Sequence, residues 1–261
     1  MDVSLAGRTA ILSGAGAGLG LEIARGLARE GANLVLGDID DRALAASTEA
    51  ARALGAQVVG LKTDIRSDAD CRALVDLALQ SFGSVGILIN DAFLAEAGGT
   101  FEDAELAAWQ AVSEVNLWGS LRMIKAALPA LKAGAEGRII NINTHGAEKL
   151  DPLFGGYTAS KAALAHLTRH LAREFGRYGI RVNGVHPGPM DAEPRRNYLT
   201  ELAKSMGTTY DALDAEWRGR TALGYLATAA DVADAVIFLA SPAARSITGQ
   251  ALYVDSGEWF H

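Results

Sequence analysis

The sequence predicts an α/β fold: a doubly wound sheet of seven parallel strands with helices on both faces. Short runs rich in leucine and β-branched residues alternate with longer helical patterns, as they do in βαβ units. Most of these runs lack polar alternation, which is typical of strands covered by helices on both faces. The predicted strands are 9–13, 33–37, 57–62, 85–90, 138–143, 181–186 and 251–254.

The segments between the strands carry apolar residues at helical spacing. Two such stripes are predicted to be core or subunit contacts: Leu19, Ile23 and Leu27, and Leu164, Leu167, Leu171 and Phe175. Parallel strands joined by right-handed crossovers place a ligand crevice at their carboxyl ends, so functional residues are expected just after strands. Residues 189 to about 224 show no strand pattern, and such long segments are usually lids or binding loops. We predict one domain, 1–261, with a substrate lid at about 189–224.

Composition excludes several classes of protein. With 49% hydrophobic and 21% charged residues, the chain is globular in character. Its net charge of −7 offers no basic footprint, so nucleic acid is not an expected partner. The single cysteine, Cys71, permits no internal disulfide and no cysteine-ligated metal site. His166 and His170 lack the acid of an H-E-x-x-H motif, so no metal is expected. No apolar run reaches the roughly 18 residues of a membrane span, and no signal-peptide pattern is found, which predicts a cytoplasmic protein without membrane contact.

A glycine-rich sequence occupies the junction between the first strand and the first helix. Residues 13–20 read Ser-Gly-Ala-Gly-Ala-Gly-Leu-Gly. Glycines let the backbone approach a dinucleotide diphosphate, and the helix N-terminus supplies free N–H groups and a positive dipole end. The G-x-G-x-x-G spacing fails at Leu19, whereas G-x-x-x-G-x-G fits Gly14, Gly18 and Gly20. The alternative is a glycine-rich turn that binds nothing.

An acid follows the second predicted strand. Asp38 stands 18 positions after Gly20, close to the spacing of the carboxylate that binds the adenosine ribose 2′-hydroxyl. A 2′-phosphate would meet like charge there, and no arginine stands at positions 37 to 41. NAD is therefore favoured, and NADP is less expected. The alternative is that Asp38 caps the second helix, a task that Asp40 or Asp41 could perform equally well.

Tyr157 and Lys161 stand one helical turn apart after the fifth strand, on one face of a predicted helix. An ammonium about 4 Å from a phenol contributes roughly 4 kcal/mol at an effective dielectric constant near 20, or about three pKa units. The tyrosine pKa would then move from about 10 towards 7, where the phenol can exchange protons at working pH. The alternative is a solvent-facing helix turn.

Together these motifs resemble the short-chain dehydrogenase/reductase family, and the resemblance covers nearly the whole chain. Further positions match in order and spacing: Asp64, Asn116, Asn183, Pro187, Gly188 and the run 248–255. The resemblance implies a Rossmann-type domain, NAD(P)(H), and hydride transfer between the cofactor and a carbonyl or alcohol.

The resemblance also implies roles for individual residues. Tyr157 would be the general acid/base, and Lys161 would bind the nicotinamide ribose and depress the tyrosine pKa. Asn116 would hold a water in the proton relay. Thr144 stands in place of the family's serine and keeps the hydroxyl that hydrogen-bonds the substrate oxygen. The other implied cofactor-binding residues are Gly14, Gly18, Leu19, Gly20, Asp38, Asp64, Ile65, Asn90, Ala92, Pro187 and Gly188.

The chain departs from the family pattern at four further positions. Asp91 and Phe93 replace asparagine and glycine of an Asn-Asn-Ala-Gly motif, so that a large ring is expected where the cofactor passes. Ala192 stands where many members have threonine, which removes one expected cofactor contact. Ser256 replaces the first glycine of an Asp-Gly-Gly ending, a change expected to be minor.

The substrate pocket is expected between segments 93–96, 145–154 and the lid. Its side chains would be mostly apolar, and His145 would offer one hydrogen bond. The expected apolar residues are Phe93, Leu94, Leu150, Leu153, Phe154 and Met190. Such a wall suits a hydrophobic or alicyclic alcohol or ketone. Arg195 and Arg196 could clamp an anionic substrate, although adjacent arginines on a lid are more often solvated. Carrier-protein-linked acyl substrates are disfavoured, because residues 133–136 lack a basic docking residue.

The leading hypothesis is an NAD(H)-dependent oxidoreductase of secondary alcohols and ketones, and two alternatives stay open. A non-catalytic dinucleotide-binding protein is suggested by Asp91 and Phe93, although such a protein needs no acid/base. A lyase or epimerase could use the same tyrosine. By resemblance to family subunit contacts, a homotetramer, or failing that a dimer, is expected through Leu164, Leu167, Leu171 and the last strand, with the tail 259–261 against a neighbour.

Overall fold

The computed structural model describes residues 2–95, 98–134 and 136–260. Position 96 of the predicted pocket, position 135 before the fifth strand and position 261 of the tail lie outside the described residues. The predicted seven-stranded parallel sheet is confirmed, in the order β3-β2-β1-β4-β5-β6-β7. The strands are β1 Thr9–Ser13, β2 Asn33–Asp38, β3 Val58–Lys62, β4 Ile87–Asn90, β5 Arg138–Ile142, β6 Arg181–Pro187 and β7 Ala251–Val254.

Helices cover both faces of this sheet. They are α1 Leu19–Arg29, α2 Asp41–Ala53, α3 Asp68–Phe82, α4 Leu106–Ser113, α5 Ser120–Ala133, α6 Gly155–Phe175, α7 Glu193–Met206, α8 Tyr210–Gly219 and α9 Ala229–Ala240. A π-helical turn, Glu114–Gly119, joins α4 to α5. Strand order reverses between β1 and β4, which places the ligand crevice at the carboxyl ends of these strands.

Each face of the sheet has its own core, which explains the absence of polar alternation in the strands. In β1, Leu12 packs in the core with Ile23 of α1 and Val236 of α9. The adjacent Ile11 packs in the other core with Leu74 of α3 and Met123 of α5. Because successive strand residues point to opposite faces and both faces are covered, both positions must be apolar.

The second predicted apolar stripe serves mainly the core of one protomer. Leu164 is fully buried, and Leu171 packs at the edge of the core that contains α3 and α5. The expectation that Leu164 contacts another subunit is therefore wrong, because a side chain enclosed within one protomer has no surface left to offer.

The segment predicted to lack strands is helical. It contains α7 and α8, which pack on each other through a small core of Leu199, Ala203 and Leu213. Within the described ranges, no helix has the combination of length and apolar character needed to cross a membrane. The same residues contain no group of three or more metal-ligating side chains suited to an ion.

Ser256, which stands where the family pattern has glycine, adopts a backbone conformation that favours glycine. The replacement was expected to have a minor effect. Ser256 has φ of 56°, in the left-handed region that glycine enters freely, and it lies just after β7. Its main-chain oxygen accepts a hydrogen bond from Leu223 N. A residue with a Cβ is strained in this conformation.

Ser256→Gly is expected to raise the free energy of unfolding by about 0.5 to 1 kcal/mol, because glycine relieves this strain at the cost of some entropy in the unfolded chain. Urea denaturation followed by circular dichroism measures the difference. Ser256→Ala is the matched control, since it removes the hydroxyl and keeps the Cβ, and it should give no gain. Equal stabilisation by both variants would contradict the strain argument.

Candidate active site

A cavity of about 660 Å³ lies at the carboxyl ends of the central strands. Residues at strand ends form part of its wall, as the predicted topology requires: Gly14 after β1, Asp38 at the end of β2, Ala92 after β4 and Gly188 after β6. The predicted site residues on the wall are Gly14, Gly18, Leu19, Asp38, Asp64, Ile65, Ala92, Phe93, Leu94, Thr144, Tyr157, Lys161, Pro187, Gly188 and Met190.

The glycine loop forms a cradle at one side of the cavity. A Cβ on Gly14 would collide with the main-chain nitrogen of Ala92, and one on Gly20 would collide with the carbonyl oxygen of Gly14. Gly18, with φ of 60°, precedes α1, and a Cβ there would meet nothing within 4 Å. No side chain caps α1, so its first N–H groups remain available to an anion. These residues fit the diphosphate of a dinucleotide.

Asp38 is tied to the glycine loop. Its carboxylate accepts hydrogen bonds from Gly16 N at 2.8 Å and from Asp40 N at 2.9 Å. The cap of α2 is instead Asp40, which accepts from Arg42 N and Ala43 N. The alternative that Asp38 caps this helix is therefore wrong, and its carboxylate lies on the cavity wall.

The part of the wall after β3 contains a cation that the sequence reasoning missed. Arg66 donates to both carboxylate oxygens of Asp64, at distances of 2.6 to 3.0 Å. Its guanidinium holds the pKa of Asp64 below the usual range. Ile65, between these two residues in sequence, is 6% exposed. Its side chain packs on Gly119, where an added Cβ would come within 2.5 Å of the Ile65 side chain. The charge of Arg66 is thus largely matched by Asp64.

Tyr157 and Lys161 face the cavity from the first turns of α6. The Lys161 ammonium donates to Ile142 O at 2.8 Å and lies 5.9 Å from the centroid of the Tyr157 ring. Lys161 is 2% exposed, and burial lowers its pKa to about 8. The alternative of a solvent-facing helix turn is wrong.

The position of this helix depends on a contact that sequence reasoning did not anticipate. The Trp109 indole of α4 covers Gly155 and Gly156, where a Cβ would come within 2.7 and 2.6 Å of the ring. The first turn of α6 therefore packs closely on α4. This packing places Tyr157, the next residue, at the cavity.

Asn116 lies in the π-helical turn and does not reach the cavity wall. Its side-chain amide accepts from Leu94 N at 2.8 Å, donates to Leu94 O at 2.9 Å and donates to Ser160 Oγ at 3.0 Å. It therefore fixes the backbone of one wall residue to the helix that carries Tyr157. Such π-turns often occur at functional sites. Its role as the holder of a water remains a prediction.

Asn90 also lies behind the wall. It is 2% exposed and donates to Asn141 Oδ1 at 2.9 Å, which joins β4 to β5. The Ser13 hydroxyl donates to it at 3.4 Å, from β1. The side chain thus links three central strands beneath the site, whereas the sequence predicted a cofactor contact.

Thr144 and Phe93 share the cavity wall with Tyr157. The Thr144 hydroxyl accepts from Gly146 N at 3.1 Å and lies on the cavity wall. The Phe93 ring is 62% exposed and meets the Tyr157 ring edge-on, with 6.5 Å between centroids. Phe93 lies on the same cavity wall as Gly14, and the expected effect of its ring on the passage of the cofactor remains a prediction.

Asp91 lies on the cavity wall and is 7% exposed. Burial raises its pKa to about 7, while the charge of Lys161 acts in the opposite direction. Sequence reasoning named Asp91 only as a departure from the family pattern. The other wall residues absent from the predicted site set are Ala17, Ile39, Thr63, Arg66, Val115, Ile142, Asn143, Ala192, Glu193 and Ala229.

Four expected substrate residues lie away from the wall: His145, Leu150, Leu153 and Phe154. His145 begins a short 3-10 turn, and its Nδ1 lies 3.7 Å from Glu258 Oε2 and 3.9 Å from Asp255 Oδ2. Leu150 is 85% exposed. The Phe154 ring packs near Gly98, 3.5 Å from the position of a Cβ there. These side chains therefore point away from the cavity: His145 towards the C-terminal segment, Leu150 towards solvent and Phe154 towards Gly98.

The two lid arginines bind protein carboxylates. Arg195 is 8% exposed, donates to Asp214 at 2.7 Å and lies over the Trp217 ring at 5.2 Å. Arg196 donates to Asp191 at 3.0 Å. The expectation that both are solvated is wrong for Arg195, because packing of α7 on α8 encloses it. Neither arginine lies on the cavity wall.

Comparisons with known proteins find similar sequences and similar folds. A family model described as enoyl-(acyl carrier protein) reductase matches residues 14–258. The 7α-hydroxysteroid dehydrogenase of Escherichia coli K12 is 33% identical, over 98% of this chain and 96% of its own. The cis-4-hydroxycyclohexanecarboxylate dehydrogenase of Sinomonas cyclohexanicum is 35% identical, over 98% of each chain. The crystal structure of carveol dehydrogenase from Mycobacterium avium in complex with NAD gives a TM-score of 0.92 at 27% identity, over 99% of each chain.

Proposed function

The chain belongs to the short-chain dehydrogenase/reductase family and is an oxidoreductase of alcohols and ketones, and we propose that it oxidises an alicyclic secondary alcohol with NAD, with Tyr157 as general acid/base. One observation carries this proposal. A half-buried tyrosine and a buried lysine share a single cavity with an uncapped helix N-terminus and its glycine cradle.

The glycine loop and the N-terminus of α1 would hold the diphosphate, and Asp38 would accept a hydrogen bond from the adenosine ribose. Asp64 and Ile65 would flank the adenine. Bound NAD would supply the acceptor for the hydride that leaves the alcohol carbon. Lys161 would hold the nicotinamide ribose while its ammonium remains anchored on Ile142 O.

Tyr157 would remove the hydroxyl proton of the alcohol. The Lys161 ammonium, 5.9 Å from the ring centroid, favours the phenolate that accepts this proton. Thr144 would hydrogen-bond the same substrate oxygen and orient it towards Tyr157. In ketone reduction the proton would travel back from the phenol to the alkoxide oxygen. Protein-bound water at Asn116 would connect this exchange to solvent.

The substrate class follows from the apolar side chains on the wall near Tyr157. Phe93, Leu94, Val115 and Met190 lie on the wall, and the two arginines that could have clamped an anion are engaged by Asp191 and Asp214. An apolar wall with few polar groups suits an uncharged ring better than a sugar phosphate. The relatives named above are described as acting on a hydroxysteroid and a hydroxycyclohexanecarboxylate, and the similar structure is a carveol dehydrogenase.

The alternatives are less well supported. A non-catalytic dinucleotide-binding protein has no need of a buried lysine beside a cavity tyrosine. A lyase or epimerase would produce no net change in nicotinamide absorbance. Acyl-carrier substrates are disfavoured, because residues 133–136 contain no basic side chain that could dock an acidic carrier protein.

Self-association is part of the proposal. A homotetramer, or failing that a dimer, remains the expected assembly. Exposed apolar side chains on and beside α4 support it, since Leu106 is 57% and Trp118 53% exposed. Phe260 of the tail is 73% exposed and is expected to pack against a neighbouring subunit.

A panel of alcohols and ketones with NAD, read at the nicotinamide absorbance, tests the substrate class. Cyclic and aryl-alkyl secondary alcohols are expected to give the highest kcat/KM, because the wall offers apolar contact and few partners for charge. Sugar phosphates and acyl thioesters are the comparison substrates. Turnover of either comparison class at tenfold higher kcat/KM would refute the assignment.

Cofactor choice depends on Asp38. The kcat/KM for NAD is expected to exceed that for NADP by more than tenfold, because the carboxylate would repel a 2′-phosphate. The double variant Asp38→Ser, Ile39→Arg should reduce this ratio, since it removes one repulsion and adds a charged donor at a wall position. Asp41→Ser, which alters an acid that pairs with Lys62, is the control and should leave the ratio unchanged. Equal use of both cofactors by the unaltered protein would exclude this role.

The acid/base assignment is tested by Tyr157→Phe. Its kcat is expected to fall by at least about 10²-fold, the usual contribution of a positioned proton-transfer group. The Kd for NAD, measured by calorimetry, should stay within about twofold, because the lost hydroxyl acts on the substrate proton. Tyr178→Phe, which alters a tyrosine near Lys132 and Arg177, is the control and should retain activity. Activity of Tyr157→Phe above a few per cent would show that another group moves the proton.

A further inference from the structure

We propose that Asp91 is the counter-ion of Lys161: a positioning residue that keeps the lysine ammonium charged and in place beside Tyr157. The importance of this pair for catalysis rests on the proposed function. The pairing itself rests on strand register, burial and the shared cavity.

Strand register brings the two groups together. The β4–β5 pairing ends at Asn90 opposite Asn141, so Asp91 and Ile142 are the next residues along two neighbouring stretches of chain; Asp91 N donates to Ser13 O at the end of β1. The carbonyl oxygen of Ile142 is the atom that accepts the hydrogen bond from the Lys161 ammonium, at 2.8 Å. Adjacent strands lie about 4.8 Å apart. The carboxyl-bearing residue and the residue on which the ammonium rests therefore follow the same paired position at the ends of β4 and β5.

Burial makes a partner necessary for each charge. Asp91 is 7% exposed and Lys161 is 2% exposed, and both lie on the wall of one cavity. An ammonium has three donors, and the carbonyl of Ile142 takes one of them without supplying charge. A buried ammonium without a counter-ion loses its proton readily, because desolvation disfavours the charged form.

The charges of Asp91 and Lys161 support each other, whereas the like charge of Asp38 acts against the ionised form of Asp91. Burial is the largest influence on the pKa of Lys161 and lowers it, whereas the charge of Asp91 raises it. For Asp91, burial and the like charge of Asp38 at the end of β2 raise the pKa, and the charge of Lys161 lowers it. Tyr157 is the other titratable wall residue on the helix that carries Lys161. Each member of the pair therefore favours the ionised form of the other.

The titration of Lys161 in the protein without cofactor or substrate tests the proposal. Lysines labelled with ¹³C at Cε are followed by NMR as pH is raised, and the Lys161 signal is identified by its loss in Lys161→Met. In Asp91→Asn the Lys161 midpoint is expected to fall by roughly one to three pH units, the range typical of a close opposite charge. In Asp91→Glu, which keeps the negative charge, the Lys161 midpoint should lie closer to that of the unaltered protein than it does in Asp91→Asn.

Asp64→Asn is the matched control. It removes another wall carboxylate, one that is paired with Arg66, and should leave the Lys161 midpoint in place. An unchanged midpoint in folded Asp91→Asn would overturn the proposal, as would an equal fall in Asp64→Asn.

The reciprocal experiment keeps the test decisive if Asp91→Asn does not fold. In Lys161→Met the Asp91 carboxyl, followed through its ¹³Cγ signal, should titrate at higher pH than in the unaltered protein, because the opposite charge is gone. An unmoved Asp91 midpoint would then overturn the pairing. Neither titration requires catalytic turnover. A result against the Asp91–Lys161 pairing is therefore distinguishable from a result against the proposed alcohol oxidation.

Discussion

The contact between the glycine loop and the chain after β4 is the constraint on which the site depends. Gly14 packs so closely on Ala92 that no side chain fits between them. This contact sets the distance between the ends of two neighbouring strands, β1 and β4. It keeps the N-terminus of α1 on one side of the crevice and the α6 tyrosine–lysine pair on the other. A diphosphate and a reactive carbon can then occupy one continuous cavity.

Sequence alone predicted the sheet because every strand of a doubly covered sheet must be apolar on both faces. Leu12 and Ile11 illustrate the rule, since they pack in different cores. The glycine spacing and Asp38 were also predictable, because both depend on the main chain at strand ends. The partner of Leu164 could not be predicted. An apolar stripe at helical spacing indicates that one face of the helix is buried, but it does not indicate whether the same chain or another subunit covers that face.

Side-chain direction was beyond sequence reasoning where it depends on a turn or on distant packing. His145 follows Thr144 directly, yet a 3-10 turn directs it to Glu258, more than a hundred positions away. Arg195 is enclosed because α8 supplies Asp214 and Trp217. Ser256 could be recognised as a glycine replacement, but its positive φ, and hence the strain, requires the backbone path after β7. The orientations of His145 and Arg195 and the backbone conformation of Ser256 each depend on segments that are distant in sequence and come together only in the folded chain.

The ion pairs between α7 and α8 affect how a ligand can enter the crevice. Asp214 receives both Arg195 and Arg218, and Arg218 also reaches Asp191 at the start of the segment. Bending between the two helices would break both Arg195–Asp214 and Arg218–Asp191, which are charge-assisted hydrogen bonds. Met190 and Glu193, at the near end of this segment, lie on the cavity wall. A widening of the entrance that keeps both pairs intact would therefore move α7 and α8 together about the flanking loops.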